Sequence, residues 1–190
     1  MTLIQYIPTL TQSSEFACSL NILKTMKDIN IREIRNYKPE FEKKLSETFK
    51  LLKSSKLVVH PKVHKITLHG SRGLSGGYRV DSDIDLCLIT DIVGVPPHRE
   101  ETELLLKEIL QTTLDNSRCP AELDLAAIFD TGNCSLICFN TGDYELLKCD
   151  KEATGCMGIY KIQKGFNGFV PPILDVEKMY PFVTIWERQQ

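Results

Sequence analysis

Two short apolar segments joined by a glycine-rich connection constrain the fold of this chain more than any other feature. Lys65–His69 reads as a strand bounded by Gly70, and Ile84–Thr90 reads as a second, almost continuously apolar strand. The connection begins with Gly70-Ser71 and reaches Asp83 after eleven intervening residues. The sequence therefore predicts a strand–turn–strand unit in which polar groups gather beside the second strand.

Asp83 and Asp85 flank Ile84 at the start of this second strand. Because side chains alternate between the faces of a strand, both carboxylates point to one face while Ile84 and Leu86 point into the core. The strand rise separates the two acids by roughly 7 Å, and charges of one sign at that distance repel unless a cation lies between them. Mg²⁺ relieves this repulsion and keeps positions open for water and phosphate oxygens.

A solvated strand entry is the alternative interpretation of these acids. Asp and Ser are common turn residues, and Asp81 and Ser82 directly precede Asp83. The Gly70-Ser71 turn favours metal binding over this alternative, because the backbone of a glycine-serine turn can approach a phosphate closely.

A third carboxylate is expected from a neighbouring strand. Ala121–Phe129 is the best remaining strand candidate, and it follows a helical pattern from about Arg99 to Leu114. Asp124 lies between two leucines, as an acid does when it projects from a buried strand toward a site. Glu122 shares its face by alternation and is the reserve candidate, whereas an edge-strand acid facing water is the alternative for Asp124.

Gly70-Ser71, the eleven-residue gap and Ser82-Asp83-Ile84-Asp85-Leu86 resemble the motif of the DNA polymerase beta-like nucleotidyltransferase superfamily. Arg72 is typical of the small members of that family. The resemblance extends from about Lys65 to Phe129. It implies a nucleotidyltransferase-type mixed sheet and an Mg²⁺-dependent transfer of a nucleoside monophosphate from a triphosphate, ATP by default, to an acceptor hydroxyl.

The resemblance also implies a role for each matching residue. Gly70 and Ser71 would hold the β- and γ-phosphates at the start of a short helix. Asp83 and Asp85 would bind two Mg²⁺ ions. Asp124 would complete the second metal site and accept the proton of the acceptor hydroxyl.

The glycines of Gly73–Gly77 depart from the family pattern. They predict that the short helix is interrupted or replaced by a loop. Phosphate contact would then fall on Arg72, Ser75 or Arg79, and a solvated loop charge is the alternative for each arginine.

Composition limits the classes of partner. The 190 residues are 42% hydrophobic and 25% charged, which suffices for one core with appended elements. A net charge of −2 disfavours a polynucleotide or an anionic membrane, because both reward dense Lys and Arg. Seven scattered cysteines without a C-x₂-C pair predict free thiols rather than a zinc site. No export signal or membrane-length segment is evident, so the chain is expected in the cytoplasm.

We expect a single α/β domain of the α+β type, with a mixed sheet flanked by helices, in three parts. Residues 1–55 are predicted to be a helical extension, residues 56–130 the catalytic core, and residues 131–190 a C-terminal strand and loop region. The helical extension would contain one helix from Ser13 or Ser14 to Met26 and a second near Pro39. The apolar stripe of the second helix is expected to pack on the core and consists of Phe41, Leu45, Phe49 and Leu52.

The C-terminal part is where an acceptor could be selected. It contains a strand-like Leu136–Phe139 and ends near Trp186, a predicted packing anchor. Lys161, Lys164 and Phe166 lie among glycines and could form a loop over a nucleotide, with the aromatic ring for the base. A turn-rich β-hairpin with surface lysines is the favoured interpretation of this stretch.

The histidines do not form a cluster in the sequence; they are His60, His64, His69 and His98. His69, directly before the Gly-Ser turn, is expected to form a structural hydrogen bond rather than to act as a base.

The sequence leaves two functional hypotheses. The first is the nucleotidyltransferase, with a small molecule such as an aminoglycoside or lincosamide, or a protein side chain, as the acceptor. The second is an antitoxin-type or regulatory module of the same fold that binds a helical toxin partner. Crowded acids favour the first hypothesis, because a pure binding module has no physical need for them.

Overall fold

The strands predicted around the acidic residues are present and lie at the centre of a six-stranded sheet. The computed structural model describes residues 31–93, 99–130, 157–163, 165–173 and 182–189. The helix expected up to Met26 and the strand expected at Leu136–Phe139 lie outside these residues. The described strands are β1 (Arg32–Glu33), β2 (Val58–Val59), β3 (Val63–Leu68), β4 (Ile84–Val93), β5 (Leu123–Asp130), β6 (Met157–Gln163), β7 (Phe166–Ile173) and β8 (Val183–Glu187), and the described helices are α1 (Pro39–Glu42), α2 (Ser46–Ser55) and α3 (Arg99–Asn116).

The main sheet has the strand order β7-β6-β5-β4-β3-β8, and β1 pairs with β2 in a separate ribbon. β4 and β5 are parallel, whereas the other neighbouring pairs of this sheet are antiparallel. A parallel pair needs a long crossover connection, and α3 lies in the connection between β4 and β5. The expected mixed sheet of an α+β protein is thereby confirmed.

One face of the sheet packs against α2 and α3. Ile84 and Leu86 of β4 are buried in a core that also contains Leu106 of α3. Phe49 and Leu52 of α2 are buried in the same core, so the predicted packing of this helix on the core is confirmed.

The opposite face of the sheet carries a smaller apolar cluster. Ile128 and Ile159 are buried there, and Cys87 and Ile89 pack against them. Asp85 shares this face, because it lies one alternation step before Cys87 on β4. Asp85 therefore lies next to apolar side chains on this face of the sheet.

The helix predicted near Pro39 forms as two segments. Pro39 lies at the beginning of α1, where its missing N–H leaves no helical hydrogen bond unmade. Residues 43–45 adopt turns, and α2 then runs to Ser55. Lys56 ends it in the left-handed conformation with a φ of 48°.

β6 and β7 form the antiparallel hairpin of the favoured interpretation. Lys161 is not the expected surface lysine, because its side chain is 29% exposed and pairs with Asp124, and Lys164 lies outside the described residues. β7 lies at one end of the strand order, so the two prolines in Phe166–Ile173 belong to an edge strand. A missing backbone N–H is tolerated there. At the other end, β8 buries Trp186 to 6% exposure, as expected of a packing anchor. None of the described helices is long and apolar enough to cross a membrane.

Candidate functional site

Three carboxylates converge where β4 and β5 begin. Asp83 directly precedes β4, Asp85 is its second residue, and Asp124 is the second residue of β5. Asp85 and Asp124 are register partners across the parallel pair, so their side chains lie on the same face. One oxygen of each acid lies within 4.8 Å of the others. The alternation argument thus places Asp83 and Asp85 together, and the parallel neighbour adds the third acid.

The structure brings Asp124, and not Glu122, to the other two acids. Asp124 is 6% exposed, whereas Glu122 is exposed and precedes β5. The backbone carbonyl of Glu122 accepts a hydrogen bond of 2.8 Å from the amide of Ile84. Glu122 therefore helps to align the two strands.

Asp124 carries the most informative oxygens of the site. Its Oδ2 lies 2.9 Å from Nζ of Lys161, whose side chain is 29% exposed. Its Oδ1 is buried without a hydrogen-bond partner among the described residues. A buried carboxylate oxygen without a partner is costly, so this atom marks a position where a ligand would be stabilising.

The acids strongly affect the charge of Asp85. Burial, followed by the negative charges of Asp83 and Asp124, raises the pKa of Asp85 from its usual 3.8 to about 6, against a smaller lowering by Lys161. Asp85 therefore loses its proton only near pH 6, because burial and the neighbouring negative charges both disfavour its charged form.

Gly70 presses its backbone against the carboxylate of Asp85. A Cβ at this position would lie 1.9 Å from Oδ2 of Asp85, and the φ of Gly70 is +65°. Both observations require glycine here. The amide of His69 also donates a 3.0 Å hydrogen bond to the backbone carbonyl of Asp85. The turn after β3 is thus fixed directly beside the acids.

The turn does not continue into a helix. Residues 71–75 form successive turns, so the short helix implied by the family resemblance is absent, as the glycines of Gly73–Gly77 suggested. Ser71 is half-buried next to Gly70, and Ser75 is exposed. A phosphate near Gly70 would therefore meet turn amides rather than the end of a regular helix.

Arg72 is buried, with 3% exposure, and it binds the backbone of the connection between β3 and β4. Its guanidinium donates hydrogen bonds to the carbonyls of Ser82 at 2.6 Å, Val80 at 2.8 Å and Arg79 at 3.3 Å. The centroid of the Tyr78 ring lies 4.9 Å from its Cζ atom, in cation–π contact. These contacts show that Arg72 positions the loop that ends at Asp83, and its expected contact with phosphate stays a prediction.

Arg79, the second arginine expected at phosphate, lies on the exposed part of the connection. Its side chain forms an ion pair with Asp81 at 3.3 Å, and both side chains are largely exposed. Its backbone amide donates to Oγ of Ser82 at 2.9 Å. The structure does not bring Arg79 into contact with the three acids, and the solvated loop charge matches its position.

Lys161 is the residue of the site whose role the sequence did not reveal. It was expected as a surface lysine of a hairpin, but β6 lies beside β5 and the pairing of Lys161 with Ala126 turns it toward the face that carries Asp124. A lysine between Tyr160 and Ile162 in a strand was a signal, because a charge inside an apolar strand needs a partner.

His69 forms the structural contact expected of it. Its Nε2 lies 2.8 Å from Oγ1 of Thr67, and its ring stacks on Phe182 with the centroids 5.7 Å apart. Burial lowers the pKa of His69, so the ring is neutral at physiological pH. His69 thus has a structural role next to the turn, and its side chain is uncharged.

The donor set fits a hard divalent cation. Three carboxylates within one cation's reach, one of them with an unpartnered buried oxygen, supply the oxygen ligands that Mg²⁺ or Mn²⁺ prefers. Compared with known proteins, the chain matches no family model, no curated protein and no solved structure.

Proposed function

We propose that this chain is a divalent-cation-dependent nucleotidyltransferase with the fold of the DNA polymerase beta-like superfamily. The observation that carries the proposal is the convergence of Asp83, Asp85 and Asp124 within 4.8 Å beside a glycine turn that a side chain would obstruct. A cation at the acids and an anionic phosphate at the turn amides are the two halves of a metal–nucleotide complex. Both halves come from residues that the sequence motif singled out.

The proposed reaction transfers a nucleoside monophosphate. The oxygen of an acceptor hydroxyl forms a bond to the α-phosphorus, the bond from that phosphorus to the bridging oxygen breaks, and pyrophosphate leaves with the electron pair. Asp83, Asp85 and Asp124 would hold the cations, and the unpartnered Oδ1 of Asp124 would also take the hydroxyl proton. The bound cations supply charge neutralisation for the entering and leaving oxygens. Gly70 and Ser71 orient the triphosphate with backbone amides.

The hairpin supplies an aromatic surface on the same side of the sheet. Phe166 pairs with Gln163, which follows Lys161 by one alternation step, and its ring is 46% exposed. β7 lies two strand spacings from β5, a distance of about 10 Å. We assign this ring to the nucleobase, because stacking on an exposed aromatic suits a flat base without requiring a particular one.

The acceptor is proposed to be a small molecule or a protein side chain. A net charge of −2 gives the chain little attraction for a polynucleotide. ATP is the default donor by analogy with the superfamily.

The Lys161–Asp124 ion pair favours a second candidate. If the ammonium satisfies Asp124 permanently, the fold is a non-catalytic module of the antitoxin or regulatory kind. The unpartnered Oδ1 of Asp124 and the crowding of the three acids favour the enzyme.

The decisive experiment follows pyrophosphate release with Mg²⁺, each nucleoside triphosphate and a panel of hydroxyl acceptors. The variants are Asp85→Asn and Asp124→Asn, each nearly isosteric, and the matched control is Asp115→Asn on the exposed end of α3. We expect both site variants to reduce turnover by at least about 100-fold and the control to keep wild-type turnover.

Cation binding provides a readout that needs no acceptor. Mn²⁺ should raise the melting temperature of the wild type and of Asp115→Asn, and should leave Asp85→Asn unchanged. Equal Mn²⁺ stabilisation of all three proteins would refute the assignment of the cation to these acids. Pyrophosphate release that persists in both site variants would refute the catalytic role.

A further inference from the structure

Lys161 occupies Oδ2 of Asp124, which is one of the two carboxylate oxygens through which Asp124 could bind a cation. Its Nζ lies 2.9 Å from Oδ2 of Asp124, and Asp124 is only 6% exposed. Two positive charges cannot share one buried carboxylate oxygen without strong repulsion. A divalent cation that uses this oxygen must therefore displace the ammonium.

We propose that Lys161 is a resident counter-ion of the acidic site, exchanged for the divalent cation when the site is loaded. This inference rests on the proposed function, because it concerns the same three acids. It makes Lys161 a positioning residue that sets cation affinity. In the cation-free protein it stabilises the acids, and in the loaded protein its ammonium is released toward the anionic substrate side of the site.

The strand register explains how Lys161 can both pair with Asp124 and move away from it. Lys161 pairs with Ala126, two residues beyond Asp124, so it reaches Asp124 diagonally across one strand spacing. On its other side it pairs with Gly168. Among the described residues, a Cβ at Gly168 would find only the Phe166 ring within 4 Å, at 3.7 Å, so none of them fills this side of Lys161. The side chain has space to swing away from Asp124 toward Phe166.

The charge balance gives the exchange a direction. The three carboxylates of the group lie close together, and Lys161 balances the charge of one of them, Asp124. A divalent cation neutralises more of the group's charge than a lysine does, so exchange is favoured where cation is abundant. Without cation, the lysine limits the repulsion that would otherwise destabilise the fold.

The test compares Lys161→Met, Lys161→Arg and the control Lys65→Met. Lys65 is a lysine of the same sheet, but its Nζ pairs with Glu187 at 3.4 Å. We measure the Kd of free Mn²⁺ by calorimetry and the melting temperature of each protein in EDTA and in saturating Mn²⁺. No nucleotide and no turnover enter the measurement.

The expected result for Lys161→Met is a Kd for Mn²⁺ lower by roughly three- to tenfold, the range that a partly buried ion pair of this kind controls. Its melting temperature should fall below that of the wild type in EDTA, and the gap should close or reverse in saturating Mn²⁺. Lys161→Arg keeps the charge and should keep a Kd close to that of the wild type. Lys65→Met should show no change in Kd.

Two results separate the inference from the function. If the wild type binds Mn²⁺ through Asp85 but Lys161→Met binds it equally or more weakly, the counter-ion exchange is wrong and the proposed function stands. If the wild type binds no Mn²⁺, the proposed function fails, and this inference fails with it. A gap in melting temperature that Mn²⁺ leaves unchanged identifies a merely structural lysine and also overturns the exchange.

Discussion

At the scale of single residues, the site depends on a glycine that touches an acid. Gly70→Ala places a Cβ 1.9 Å from Oδ2 of Asp85 in a backbone with a φ of +65°. We expect the carboxylate to move and the stabilisation by Mn²⁺ to be lost, together with a fall of about 1–3 kcal/mol in the free energy of unfolding. Chemical denaturation with and without Mn²⁺ measures both effects.

Gly76→Ala is the matched control for this prediction. Its φ is +67°, so the backbone penalty is similar, but a Cβ there has no atom of the described part of the chain within 4 Å. It should lose stability by about 1 kcal/mol and keep its response to Mn²⁺. If Gly76→Ala loses the Mn²⁺ response as Gly70→Ala does, contact with Asp85 is not the reason that position 70 must be glycine.

Arg72 is the second residue on which the site depends, because its guanidinium binds the loop that leads to Asp83. Arg72→Met removes hydrogen bonds to the carbonyls of three loop residues and leaves those carbonyls inside a partly buried loop. We expect the free energy of unfolding to fall by about 2–4 kcal/mol and the affinity for Mn²⁺ to decrease, because the loop ends at Asp83. Urea denaturation and calorimetry provide the two measurements.

Arg79→Met tests whether any arginine of this loop has that effect. Arg79 is exposed, and its ion pair with Asp81 is solvated. The change should stay within about 0.5 kcal/mol. A loss in Arg79→Met as large as that in Arg72→Met would mean that loop charge, and not the buried guanidinium, organises the connection.

At the scale of elements, the β6–β7 hairpin depends on one close approach between strands. A Cβ at Gly158 would lie 2.2 Å from Cζ of Phe129, which is fully buried on β5. Gly158→Ala should therefore displace the ring and lower the free energy of unfolding by about 1–3 kcal/mol. Gly168→Ala, in the partner strand, meets only the Phe166 ring at 3.7 Å and should be tolerated. Thermal denaturation of both variants checks this, and equal losses would contradict it.

The elements also show where the sequence was sufficient. Alternation in β4 and the apolar run of β5 predicted both strands within a few residues, because burial dictates these patterns locally. The parallel pairing of β4 with β5 added Asp124, and the single helix between these consecutive strands made that neighbour foreseeable. The contact of Lys161 with Asp124 was not foreseeable, because it depends on which strand lies beside β5, a long-range choice made by the whole sheet.

Arg72 shows the other limit of sequence-based prediction. An arginine after a glycine-serine turn has the same local sequence whether it binds a phosphate or its own loop. Its burial is decided by the path of the connection back to β4 and by Thr48 of α2, whose Oγ1 donates a 2.8 Å hydrogen bond to the carbonyl of Arg72. A turn that contains several glycines has many conformations, so local propensity could not select this one.

At the scale of the whole molecule, the acids connect stability to pH. The pKa of Asp85 is raised to about 6 in the folded chain, by burial first and by the neighbouring acids second, against 3.8 for an ordinary aspartate. Between these values the folded chain binds a proton that the unfolded chain has lost. The contribution of Asp85 is therefore full below about pH 4 and is lost as the pH rises through 6.

Asp85→Asn isolates this contribution. The amide resembles the protonated acid and does not titrate, so in EDTA the variant should match the wild type near pH 4. It should melt higher than the wild type at pH 7.5, by roughly 2–4 °C, the shift that about 1 kcal/mol produces in a chain of this size. This shift in melting temperature is small because the Asp85 side chain is only partly buried, so solvent screens the repulsion. Calorimetric scans across this pH range provide the comparison.

Divalent cation should reverse the order of the two proteins. Mn²⁺ needs ionised carboxylates, so the stabilisation of the wild type should grow as Asp85 loses its proton and should level off above about pH 6. Asp85→Asn loses one of three ligands and should respond little at any pH. The wild type is then the less stable protein in EDTA at pH 7.5 and the more stable one in Mn²⁺. If the wild type is the more stable protein in both solutions, the repulsion among the acids is not what the cation relieves. If the order reverses as expected, the three carboxylates that destabilise the cation-free fold by repulsion also account for its affinity for the cation.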